Sequence, residues 1–133
     1  MASTKTVFRI MGEDLDPCEI TQRLRMQPDQ AHCGGDPHIG KLGQRYAGYT
    51  AGIWALQSSL DEQHTLAEHL EELIAKLGEH GDALQAWRNR GYTMDIFVGI
   101  FGCDDNMGWV LKHTLLQHLV QLGVDLDLDL YPA

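Results

Sequence analysis

A chain of 133 residues with 44% hydrophobic content and a net charge of −9 fits one domain, residues 1–133, able to bury roughly two thirds of its unfolded surface without metal or disulfide staples. No apolar run approaches the ~18 residues that span a bilayer, and Met1 to Lys5 lacks the long apolar core of a secretory signal. Cys18, Cys33 and Cys103 are odd in number, well separated and without a C-x-x-C pair, which argues against a disulfide framework and fits a reducing cytoplasm.

In chain order, Thr6 to Met11 reads as a strand with Phe8 and Ile10 on one face and Val7 and Arg9 on the other. A helix follows, with Asp16 as cap, Pro17 in its first turn, Glu19 placed to complete a capping box, and Ile20 and Leu24 as the buried stripe. Pro28 ends it nearby. From Pro28 to Trp54 runs a long connection in which His32, Cys33, Asp36 and His38 sit among six glycines. Such a length in a compact domain points to a working loop.

Ile53 to Ser58 is the next strand, with Trp54 and Leu56 on one face. Ser59 and Glu62 match a capping box for a helix burying Leu66, Leu70, Leu73, Ile74 and Leu77, exposing Glu68, Glu71 and Glu72, and stopping at Gly78. Asp82 to Arg90 is a shorter helix packing Leu84 and Trp87. Tyr92 to Phe101, apolar on both faces, belongs inside a sheet. A last helix spans about Met107 to Leu122 behind an Asp105 or Asn106 cap, and Gly123 closes it. Val124 to Tyr131 then alternates Val124, Leu126, Leu128 and Leu130 with Asp125, Asp127 and Asp129.

Two strand–helix–strand halves joined by a helical insertion predict an α+β fold: a four-stranded mixed or antiparallel sheet with helices mainly on one face, ferredoxin-like in detail. In that arrangement the last strand flanks the first, and Arg9 faces the aspartate row.

Candidate sites come from the loop and the last strand. His32, Cys33, Asp36 and His38 offer imidazole, thiol and carboxylate ligands for a metal, though at no standard spacing; the competing reading is a polar loop articulated by glycine. The glycines with Lys41 and Arg45 fit neither the P-loop nor the dinucleotide fingerprint. Arg45, Tyr46 and Tyr49 are residue types that anchor protein interfaces, and this is the preferred use of the loop. Asp125, Asp127 and Asp129 form a second binding candidate, on a strand able to recruit another strand, against the plainer reading of a solvated face. His64 and His69, and likewise His113 and His118, are five residues apart and miss the i, i+4 spacing of helical zinc pairs. Ser58 and Ser59 lack a nucleophile elbow. Asp104 and Asp105 beside Cys103 oppose a reactive thiolate.

The order of pieces resembles a bacterial family described as domain of unknown function 4279. It is carried by Asp14 to Leu24 (DLDPCEITQRL), Pro28, Gly35 and Asp36, Gly52 to Ser58 (GIWALQS), the Leu-rich helix with His69 to Leu77, and Gly123 to Tyr131 (GVDLDLDLY). The resemblance implies a shared fold and brings no catalytic residues. The chain departs from the family pattern in Arg25 and Met26, where a Gly-apolar pair is usual, and in a longer glycine-rich insertion.

Charge narrows the partners. Residues 1–52 hold six Lys/Arg and six Asp/Glu, whereas residues 53–133 hold four and thirteen. An acidic second half repels nucleic acid and anionic membranes and favours a basic protein. The expected function is a non-catalytic cytoplasmic protein-binding module without cofactor, of inhibitor or immunity type, with self-association open to it. The alternative is a metal- or ligand-dependent enzyme centred on the His/Cys/Asp loop.

Overall fold

A computed structural model describes residues Ala2–Ala133. Strand β1 (Ser3–Gly12) leads to α1 (Pro17–Leu24), short strands β2 (Gln30–His32), β3 (His38–Ile39) and β4 (Arg45–Tyr46), and then β5 (Gly52–Gln57). Helix α2 (Leu66–Leu77) runs through a 3-10 turn into α3 (Gly81–Asn89), followed by β6 (Thr93–Cys103), α4 (His113–Leu122) and β7 (Asp125–Pro132). Among the described residues no helix is long and apolar enough to cross a membrane.

The α+β class is as the sequence predicts, but the sheet has five strands, ordered β2-β5-β1-β6-β7, and β3 and β4 form a separate ribbon. Strand β1 is central and pairs antiparallel with both β5 and β6. The ferredoxin-like arrangement would set the last strand beside the first. Here both sides of β1 are already occupied, and β7 lies beyond β6, parallel to it. The physical reason is the helical crossover through α4, which returns the chain in the direction of β6.

Alternation in the strands sets the core. Thr4, Thr6, Phe8 and Ile10 of β1, Trp54 and Leu56 of β5, and Met94, Ile96, Val98 and Ile100 of β6 are buried, as one sheet face packed under helices requires. Leu70, Leu73, Leu77 and Leu84 cover them. Trp54 is anchored as well as buried: its Nε1 donates to Thr21 Oγ1 of α1 at 3.0 Å, satisfying the indole N–H inside the core.

Among the described residues the helices pack on that one face, and the opposite sheet face carries none. It presents Lys5, Val7, Arg9, Asp95, Phe97, Phe101, Asp125, Asp127 and Asp129 from β1, β6 and β7, by the register of those strands. Arg9 organises its centre. Nε and Nη2 donate to the two Asp95 carboxylate oxygens at 2.8 and 2.5 Å, Nη2 reaches Asp127 at 3.5 Å, and the guanidinium stacks 4.9 Å over Phe97. Arg9 thus shares a face with the aspartate row, as expected, but reaches it across β6.

Helix starts differ from the sequence reading in three places. Asp16 caps α1 through the Cys18 N–H at 3.0 Å, but Glu19 completes no capping box; its Oε1 instead accepts from Arg90 Nη1 (2.6 Å) and Trp87 Nε1 (3.4 Å), which turn the side chain toward α3. The box of α2 is Thr65 with Glu68, not Ser59 with Glu62. Both pairs fit the pattern, and the one directly before the apolar stripe forms the helix; Ser59 instead binds Glu72. Finally, α4 starts at His113 behind Lys112. Gly108 and β-branched Val110 disfavour helix in the preceding stretch, and Asp105 and Asn106 lie in a bend.

Candidate functional site

The Pro28–Trp54 connection folds as an arm on the β2–β5 edge. Cys33 N–H donates to Asp36 Oδ2 at 2.7 Å, Gly35 turns with φ 87°, and Gly35 N–H and Tyr49 N–H bond to Tyr49 O and Asp36 O. These bonds tie the two legs of the arm together. Beyond them, the register of the ribbon sets Tyr46 opposite His38 and Arg45 opposite Ile39.

The two histidines among the candidate metal ligands stack on the tyrosines of the arm. Tyr49 lies between His32, with ring centroids 3.4 Å apart, and His38, at 4.4 Å, and Tyr46 tilts against His38 at 5.0 Å. The two imidazoles therefore sit on either side of one ring. Asp36 accepts the Cys33 amide, and desolvation together with the Asp36 charge holds the Cys33 thiol above its ordinary pKa, which disfavours the thiolate that binds metals. Among the described residues no group of three or more His, Cys, Asp or Glu side chains is placed to hold a metal ion. Arg45 is exposed, as is Tyr46, while Tyr49 is half-buried in the stack.

The aspartate row stands at the far edge of the sheet. Four inter-strand steps of about 4.8 Å put it roughly 19 Å from β2, so the two candidate binding sets are not brought together. On β7, Asp127 is the member within reach of Arg9. Asp129 accepts the Tyr131 hydroxyl at 2.6 Å, a bond that raises the Tyr131 pKa. Tyr131 in turn stacks flat on Phe101, with centroids 4.7 Å apart. On the helix side of the same strand Leu126 packs against the core, whereas Leu128 and Leu130 remain 46% and 50% exposed. The outer edge of β7 pairs with no other described strand.

One polar pair escaped sequence reasoning. His69 Nδ1 lies 2.8 Å from Ser58 Oγ, with both residues buried, and His69 Nε2 has no hydrogen-bond partner among the described residues. Eleven residues separate them, and no motif spacing signals the contact. The arrangement resembles half of an acyl-transfer site, but an acyl carbon would have to reach a hydroxyl enclosed by protein. Burial, then the charge of His64, lowers the His69 pKa, which favours the neutral ring. A groove of about 410 Å³ between α2 and the start of α4 is lined by Glu71, Lys112 and His118 among others.

No curated protein and no solved structure matches the chain. The family model described as Domain of unknown function (DUF4279) matches residues 2–133, and the chain therefore belongs to the DUF4279 family.

Proposed function

We propose that this chain is a non-catalytic protein-binding module of the bacterial cytoplasm that holds a basic protein through β7, as a small inhibitor or immunity protein would. The observation that carries this reading is the outer edge of β7, where Asp125, Asp127 and Asp129 share one face of a strand open to pairing. Among these carboxylates only Asp127 has an ion-pair partner within the described residues, and at 3.5 Å. Asp125 and Asp127 are exposed and Asp129 is half-buried, and such a row of like charges raises the local concentration of a cationic partner and speeds its encounter. The three free cysteines, two of them exposed, suit a reducing compartment.

The test is affinity capture from the source cells at low salt, followed by purification of the captured protein and its titration against wild type and D125K/D129K. The expected result is a basic partner whose Kd weakens by about tenfold or more in the variant, since reversed charges convert attraction into repulsion. Capture of no protein, or equal affinity for both forms, overturns the proposal.

A further inference from the structure

We infer that β7 accepts a partner segment as a sixth strand, and that this segment alternates basic with apolar residues. The inference rests on the protein-binding reading above and adds its mode and chemistry.

Three independent features converge on β7. The strand spans Asp125–Pro132 and, among the described residues, pairs with β6 alone, so alternate residues direct their backbone N–H and C=O groups away from the sheet, over a length of about 26 Å. Its open-face side chains are the three aspartates, joined by Tyr131 stacked on Phe101. Its helix-side chains Leu128 and Leu130 stay about half exposed.

An added strand continues the pleat, so its side chains alternate between the same two faces. Those falling on the open face would neighbour Asp125, Asp127 and Asp129, where Lys or Arg completes the cross-strand pairs. The aromatic face of Phe101 and Tyr131 also suits a cation. Side chains falling on the helix side would neighbour Leu128 and Leu130, where Val, Ile or Leu removes apolar surface from water. The backbone ladder supplies affinity and the alternating side chains supply selectivity, as in other strand-addition interfaces.

The same charges argue against a second copy as occupant. Antiparallel pairing of β7 with its own twin sets the aspartates of one copy against those of the other, and like charges opposite one another destabilise a sheet. Charged residues along an edge are a common guard against self-pairing. A basic strand turns that guard into a recognition element.

The test uses peptides the length of β7: one alternating lysine and valine, one of equal composition with the lysines and valines in separate blocks, and the alternating peptide N-methylated at every second residue. Binding is read by fluorescence anisotropy at low salt, and amide hydrogen exchange is followed over residues 125–132. The expected result is that the alternating peptide binds about tenfold or more tightly than either control, and slows exchange of the outward-facing β7 amides. Equal binding of all three, with exchange unchanged, overturns strand addition while leaving the basic-partner reading intact. Failure of every peptide while the captured protein still binds does the same. Failure of both peptides and captured protein removes both. A dimer in solution whose β7 amides are protected without peptide overturns the choice of occupant.

Discussion

Arg9 is the residue on which the open sheet face most depends, because its two bonds to Asp95 and its stacking on Phe97 neutralise the inner end of an otherwise acidic surface. The Asp95 hydrogen bond, followed by opposing desolvation, raises the Arg9 pKa. R9A leaves Asp95, whose side chain is 14% exposed, without its partner. The expected loss is about 2 kcal/mol in urea unfolding, and a change below about 0.5 kcal/mol would contradict the role given to the pair. Arg25 tests the opposite sign. It closes α1 with φ 57°, a left-handed position that costs a side-chain-bearing residue about 1 kcal/mol. R25G is expected to raise stability by up to about 1 kcal/mol. His69 governs a pH response. Its folded pKa lies below the ordinary value of 6.5, so its contribution is complete above that value and is lost as pH falls through the folded pKa, where the unfolded chain holds more protons. His64 acts the other way, its pKa raised by the Asp61 hydrogen bond, but it is partly exposed and weighs less. Urea midpoints of wild type and H69Q at about pH 7.5 and about pH 5.5 check this: H69Q is expected to lose less stability on acidification, and equal slopes would contradict it.

At the scale of elements, the local grammar of the chain was readable wherever one chemical signal dominated. Asp16 with Pro17, Gly123 after Leu122, and the alternation in β1, β6 and β7 all mark real boundaries or faces. The signal failed where two candidates competed, as with Ser59/Glu62 and Thr65/Glu68, because the capping pattern does not contain the distance to the apolar stripe. T65A is accordingly expected to cost about 1 kcal/mol, whereas E62A should stay within about 0.5 kcal/mol; denaturation midpoints that reverse this ranking would place the helix start wrongly. Glu19 illustrates a different limit. Its capping role is displaced by Arg90, 71 residues away, and no local pattern encodes that competition. Arg88 is similar: Nη1 donates to the Leu122 carbonyl at 2.6 Å, completing the C-terminus of α4 from another helix.

Over the whole molecule, fold class and the single helical layer were legible, while strand order was not, since hydropathy records which face is buried and not which neighbour is paired. The candidate site was legible in its residues more than in its geometry. The His/Cys/Asp loop has metal-ligand chemistry, yet its histidines flank Tyr49; the aspartate row has only spacing and charge, yet it lies along an open edge. Those two regions occupy opposite sides of the sheet, which makes the central claim directly measurable. Backbone amide NMR of the labelled protein, titrated with its captured basic partner, reports which edge is covered. The account predicts shifts concentrated in residues 125–132 and the adjoining β6; shifts confined to the Cys33–Ala51 arm, with β7 unchanged, would contradict it.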